Sequence, residues 1–248
     1  MVYIKSPEDI KLIKQAASIW KQTRQLIIEH CRVGVSLKSI DELVNKFVLE
    51  QNARCSFYKY RDFPGHICIN VNEQLIHGVP TNYIIQKDDL ISFDVGIEYQ
   101  NHHCDAAFTI NMNPSNKQNQ EILDVTLGAL TNAINQIKPG NYIGDIENAI
   151  EVYVHQHKYE VIKDFGGHGC GNKIHEDPMI MNFGQPKTGI KLIPNMTLCI
   201  EPMVLTNSDQ YYIDPKNHWT VIAKNKKLTC HCEHMVLVTN NGCEILTE

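Results

Sequence analysis

Two periods run through the apolar positions of this chain, and their order predicts its elements. The segment "SPEDIKLIKQAASIWKQTRQLIIEH" reads as a helix, with Ser6 as its cap, Pro7 in its first turn and Asp9 three residues after the cap. A second helix follows Ser36 and carries the apolar stripe Ile40, Leu43, Val44 and Phe47. Strand signals then dominate in "HICINVNE", "DLISFDVGIEY" and "CDAAFTINM". In the second of these, Ile91, Phe93, Val95 and Ile97 alternate with Ser92, Asp94 and Gly96, the pattern of a half-buried strand. Helices are expected near 117–137 and 143–157, and strands near 160–165, 196–204, 219–223 and 233–239.

This order repeats. "RVGVSLKSIDELVNKFV" lines up with "KPGNYIGDIENAIEVYV", so that Gly34 meets Gly140, Ile40 meets Ile146 and Val48 meets Val154. Further along, "IHGVP" resembles "IHEDP", and "LISFDV" resembles "TLCIEP", which places Asp94 opposite Glu201. Three weak matches in the same order predict two related α+β halves, each with helices on one side and antiparallel strands on the other. The period is far too long for a solenoid.

A site at the junction of the halves would receive acids from both. A turn near Tyr99–Asn101 pairs Asp94 with Asp105 directly or one diagonal step away, and either register puts both carboxylates on one face. Glu201 and Glu233 lie among apolar residues in the second half, where unpaired carboxylates are costly to bury. Four acids expected on four strands point to a shared cation site. With one imidazole the set becomes hard oxygens plus one nitrogen, which suits two divalent ions such as Mn, Fe, Co or Zn. The run "DFGGHGCGNKIHEDP" offers His168 and His175, seven residues apart in what reads as a glycine-rich loop.

Composition narrows the class without choosing the function. With 43% apolar and 21% charged residues, the 248-residue chain can bury a core. Its net charge of −5 is scattered and offers no basic stripe for nucleic acid or a membrane surface. The start "MVYIKSPEDI" lacks a signal-peptide pattern, and no apolar run approaches the ~18 residues of a membrane span. Nine cysteines without a dense regular framework fit reduced thiols, so a cytoplasmic protein is expected. Cys230 and Cys232 in "TCHCEH" resemble half of a zinc clip, but no second pair at finger spacing completes it. "GGHGCG" matches neither common phosphate-loop pattern.

The motifs "CINVNEQLIHGVP", "ISFDVG" with "CDAAFT", "GGHGCGNKIHEDP", "CIEPM" and "CEH", in this order, resemble the methionine aminopeptidases of the pita-bread fold, in their short bacterial-like type I form. The resemblance runs over almost the whole chain. It implies one α+β catalytic domain over residues 1–248, with two pseudo-symmetric halves and antiparallel sheet covered by helices on its outer side. Neither the long N-terminal domain of prolidase-like relatives nor the insert of type II enzymes is expected.

Carried over by position, the resemblance makes Asp94, Asp105, His168, Glu201 and Glu233 the ligands of two divalent ions (Co, Mn, Fe or Zn), with Asp105 and Glu233 bridging. Glu201 doubles as the proton acceptor, and His77 and His175 are catalytic, substrate-facing histidines. Tyr60, Phe63, Cys68 and Trp219 bind the substrate side chain, joined by Phe57 and Met203. Aromatic walls and a soft thiol suit a thioether. Three positions depart from the family pattern: Asn70 for a common serine, Gly96 for a frequent threonine, and Phe57 for a small residue.

The implied reaction removes the initiator methionine from nascent chains, preferentially before a small second residue. The implied enzyme is a monomer that meets nascent chains at the ribosome, with no specific nucleic-acid partner and no membrane partner. An Xaa-Pro dipeptidase of the same fold is the alternative within the family. A non-catalytic binding module is a further one, against which the five retained ligand positions count.

Overall fold

The computed structural model describes residues 2–248. Its four α-helices are α1 (Pro7–His30), α2 (Leu37–Glu50), α3 (Lys117–Ile134) and α4 (Ile143–Gln156). At the start of α1 the Ser6 hydroxyl accepts from the Asp9 N–H, and the Asp9 carboxylate accepts from the Ser6 N–H. Its inner face buries Ile13, Ala17, Trp20, Thr23 and Ile27, spaced three or four apart. α3 and α4 stop at Ile134 and Gln156, slightly short of the predicted ends.

All strand pairs among the described residues are antiparallel. The long hairpin Leu90–Tyr99 and His102–Asn111 turns through Gln100 and Asn101, both left-handed with φ of 48° and 60°. Arg54–Cys55 and Cys68–Val71 share the other edge of its first strand. A five-stranded sheet runs Cys243–Ile245, His234–Val238, Thr197–Ile200, Gly166–Gly169 and Glu176–Met181. Two three-stranded sheets complete the set. One joins Thr229–His231, Met203–Leu205 and Glu160–Val161; the other joins Tyr211–Ile213, Val221–Ala223 and Gln74–Ile76.

Helices cover the outer side of the strands. α1 lies across the long hairpin, where the Trp20 indole N–H donates to the Ala106 carbonyl at 3.1 Å, one residue from Asp105. α3 and α4 pack on each other, and their Ile122, Ala129, Ile146 and Ile150 share a buried cluster with Leu198, Ile200 and Val236. No helix among the described residues is long and apolar enough to cross a membrane.

The repeat seen in the sequence is a repeat of backbone. α2 and α4 are each 14 residues long. Each is preceded by a left-handed glycine, Gly34 with φ 90° and Gly140 with φ 97°, a conformation that costs glycine little. The residue before each helix makes an isolated bridge to a later strand-like residue, Ser36 to Ile84 and Tyr142 to Lys191.

Two expectations need correction. The strand predicted near 160–165 is only Glu160–Val161. The "GGHG" segment, read as loop, is the strand Gly166–Gly169, paired on both sides. Its glycines answer to crowding within the sheet. A Cβ on Gly167 would collide with the Cys199 carbonyl oxygen, and one on Gly169 with the Asp177 carbonyl oxygen.

Candidate active site

Asp94 and Asp105 face each other diagonally. Gly96 is the residue opposite Asp105, and Ala107 the one opposite Asp94, so the two carboxylates share a face of the hairpin two steps apart. Glu201 and Glu233, expected within strands, instead sit at breaks. Glu201 follows Thr197–Ile200 and precedes Met203–Leu205; Glu233 lies between Thr229–His231 and His234–Val238. At each break the chain passes between the five-stranded sheet and a three-stranded one, and the two crossings run side by side, with Ile200 opposite His234 and Met203 opposite His231. Leaving the ladder frees backbone to reach across the halves, and the Glu233 N–H donates to the Ala107 carbonyl at 2.8 Å.

His168 projects from Gly166–Gly169 into the same space. Its Nδ1–H donates to the Gly169 carbonyl at 2.9 Å, because a carbonyl can only accept. The lone pair of the neutral ring is thereby fixed on Nε2, which stands 3.7 Å from Glu201 Oε1 and 3.9 Å from Asp105 Oδ2. Locking one ring nitrogen on a carbonyl is the usual way a metal-binding histidine is oriented.

The carboxylates are buried without enough partners. Asp94 Oδ1, Asp105 Oδ1 and Glu233 Oε1 lack any hydrogen-bond donor, and oxygens of these three residues lie within 4.8 Å of one another. Burial first, then the neighbouring negative charges, pushes all three well above the ordinary carboxylate range. Burial also raises Glu201, but a hydrogen bond from His231 and the nearby imidazoles outweigh it and leave that group below its usual value. Bare buried acids at such range are unfavourable, and divalent cations among them would remove both the desolvation and the repulsion. The donor set of carboxylate oxygens and one imidazole nitrogen fits such ions.

A cavity of about 310 Å³ opens above these residues and is walled by Phe57, Tyr60, Phe63, Cys68, Met203 and Trp219. Phe63 and Trp219 meet edge to face with centroids 5.2 Å apart. The Cys68 thiol is pushed well up by burial and by Asp94, so it stays neutral. His77 and His175 border the same cavity. His77 is left-handed at φ 55° and stands edge-on to Phe165, 5.6 Å between centroids. Burial lowers its pKa to about 4. His175 is at the mouth, with Nδ1 3.0 Å from the Tyr60 hydroxyl and its ring 4.3 Å from that of His168. Packing around the ring, then the neighbouring His168, lowers its pKa as well.

Comparison with known proteins gives the family. The model of metallopeptidase family M24 matches residues 11–240. The methionine aminopeptidases of Mycoplasmoides gallisepticum and Mycoplasma genitalium are 41% and 38% identical to the chain, each aligned over all of both proteins. The chain belongs to metallopeptidase family M24, in its methionine aminopeptidase branch. The crystal structure of methionine aminopeptidase from Thermotoga maritima superposes with a TM-score of 0.97 at 33% identity, covering all of both chains. A prolidase from Pyrococcus horikoshii shares the fold at TM-score 0.80 and 24% identity, but the match covers only 63% of that chain.

Within this M24 chain the three departures have local explanations. A Cβ on Gly96 would stand 2.8 Å from Ser56 Cβ and 3.0 Å from Phe57 Cε1, so the Phe57 ring fills room that a larger residue at 96 needs. The two departures therefore accompany each other. Gly96→Thr should cost about 1–3 kcal/mol of stability by overpacking. Combined with Phe57→Ala it should cost less than the two changes added, as read by urea unfolding of all four variants; strict additivity would refute the link. Asn70 is not among the residues that line the cavity. Its Oδ1 accepts from the Gly78 N–H at 2.7 Å, which ties the strand Cys68–Val71 to the turn that carries His77.

Other residues of the candidate site escaped the sequence reading. Phe165, Ile76, Met179 and Arg61 also line the cavity. Phe165 directly precedes "GGHG", and that adjacency was the available signal. His231 is the larger omission. It ends the strand Thr229–His231, two residues before Glu233, and its Nε2 is 3.1 Å from Glu201 Oε2. Cys230 and Cys232 beside it are buried, and neither joins a cluster of potential metal donors among the described residues. All nine cysteines are free thiols, eight of them buried.

Proposed function

We propose that this chain is a dinuclear metallo-aminopeptidase that removes the N-terminal methionine of nascent proteins, with preference for a small second residue. The observation that carries this reading is the convergence of Asp94, Asp105, His168, Glu201 and Glu233 beneath a cavity of about 310 Å³ with aromatic walls. These five residues would hold two divalent ions (Mn, Fe, Co or Zn). Bound there, the ions supply Lewis acidity, which lowers the pKa of an attacking water and polarises the scissile carbonyl.

The chain's own groups do the rest. Glu201 accepts the proton of the attacking water and passes it to the leaving amine. His77 and His175 are neutral near pH 7, given the direction of their shifts. With the Tyr60 hydroxyl donating to His175 Nδ1, the ring keeps its hydrogen on Nε2, free to donate to a carbonyl oxygen of the substrate. Preorganised donors at the oxygen that gathers charge account for large rate effects. Phe57, Phe63, Trp219, Cys68 and Met203 enclose an unbranched thioether by apolar and sulfur contact.

The whole of residues 1–248 is read as a single catalytic domain working as a cytoplasmic monomer on nascent chains near the ribosome. Its nine free thiols are consistent with a reducing compartment. A proline-directed dipeptidase is the competing reading. Purified protein supplied with Mn, Co, Fe or Zn should release methionine from Met-Ala-Ser and leave Ala-Pro intact. Cleavage of Ala-Pro with Met-Ala-Ser untouched would reverse the assignment.

A further inference from the structure

We infer that His231 is a positioning residue that holds one oxygen of Glu201 so that the other faces the cation site. The inference rests on the reading of Glu201 as a metal ligand and proton acceptor. The two oxygens of Glu201 are divided between two imidazoles: Oε2 lies 3.1 Å from His231 Nε2, and Oε1 lies 3.7 Å from His168 Nε2. A carboxylate oxygen only accepts, so His231 carries its hydrogen on Nε2 and donates.

His231 cannot meet the substrate. It is buried to 1% exposure, and it is absent from the cavity wall that Glu201, Glu233 and His168 share among the described residues. It lies behind Glu201.

Its backbone is clamped by the strands that carry the aspartates. The His231 carbonyl accepts from Thr109 Oγ1 at 2.7 Å, and its N–H points to Ser92 Oγ at 3.4 Å. Those two hydroxyls are themselves 2.7 Å apart. Ser92 lies two residues before Asp94 on the same strand face, and Met203 is paired opposite His231. The ring is thus placed by the first half of the molecule and acts on a glutamate of the second.

His231 Nδ1 is buried with no partner. An unpaired nitrogen carries a cost, which the bond from Nε2 to a carboxylate offsets and simple space-filling would not. A carboxylate with one oxygen held binds a cation through the other and does not swing. Freed from His231, Glu201 would rotate and lose that preorganisation.

The test compares wild type with His231→Leu, His231→Asn and His231→Gln, all as full-length chains. Cobalt(II) binding is followed by calorimetry and by its visible absorption spectrum, beside kcat and KM for Met-Ala-Ser. Leucine removes the donor, and asparagine is too short to bring one to Glu201. Both should weaken cobalt binding and lower kcat, each by about 10–100-fold, with an altered spectrum and KM within about threefold. Glutamine brings an amide N–H to the same oxygen and should recover affinity, spectrum and kcat to within about threefold. Far-UV circular dichroism establishes which variants fold, and the asparagine–glutamine pair decides the matter if leucine does not.

Wild-type cobalt affinity and spectrum in the folded leucine or asparagine variant would overturn the inference. A folded glutamine variant as impaired as asparagine would overturn it too, since the imidazole nitrogen would then itself be a ligand. Glu201, His231 and Glu233 do present donor atoms within 4.8 Å of one another. A wild-type chain that takes up no cobalt would overturn the metal-site reading first, and this inference with it.

Discussion

His168→Ala should bind divalent metal at least ~100-fold more weakly than wild type and lose cleavage of Met-Ala-Ser with it. His175→Ala should keep its metal and lose about 10²–10³ in kcat. The two rings are close, 4.3 Å between centroids, yet their surroundings differ. His168 Nδ1 is held by the Gly169 carbonyl, and its free nitrogen points at Glu201 and Asp105. Deleting the groups that merely support a metal ligand costs 10–100-fold in affinity, so deleting the nitrogen donor itself should cost at least the upper end of that range. His175 instead turns Nδ1 to Tyr60 and borders the cavity mouth, where a lost donor to the developing oxyanion costs ~10²–10³ in turnover. Metal analysis and kinetics on both variants separate the roles. Equal metal loss in the two would remove the distinction.

Lys5→Met should be the most destabilising single change remote from the site, at about 3–5 kcal/mol. Lys5 Nζ lies 2.6 Å from Glu176 Oε2, with both side chains at 1% exposure. The other Glu176 oxygen accepts from the Lys173 N–H at 2.9 Å, which closes the turn that carries His175. Removing one member of a buried pair leaves the other charge unsatisfied in a dry interior, the source of the large penalty. Lys5→Met with Glu176→Leu removes both charges and should recover most of the loss. Urea unfolding midpoints of the three variants and wild type measure this. A single variant within about 1 kcal/mol of wild type would contradict it. Because Glu176 follows His175 directly, the single change should also lower kcat more than metal content.

Local pattern announced much of this fold. The capped start of α1, the stripe of α2 and the alternation around Asp94 each rest on neighbours in sequence, so a short window suffices to read them. The repeat carried further, since Gly34 and Gly140 share a left-handed backbone that few residues adopt easily. It also paired Asp94 with Glu201 across halves that the structure brings to one site. What local pattern missed depends on partners distant in sequence. "GGHG" read as loop because the carbonyls that crowd its glycines belong to Cys199, Asp177 and Ile180. Glu201 and Glu233 looked like strand residues because a crossing between sheets leaves no local mark. Nothing beside Lys5 in sequence marks its burial, because its partner lies 171 residues away. His231 stood in a motif first considered for its cysteines, while its importance lies in which way its ring turns.

Methionine removal should require cations held by Asp94, Asp105, His168, Glu201 and Glu233. The most direct measurement strips the purified chain with a chelator, verifies the residual metal by elemental analysis, and follows methionine release from Met-Ala-Ser while Mn, Fe, Co or Zn is titrated back. The stripped chain should show no cleavage, and activity should recover and saturate as the site fills. Undiminished cleavage by a chain shown to hold no metal would contradict it.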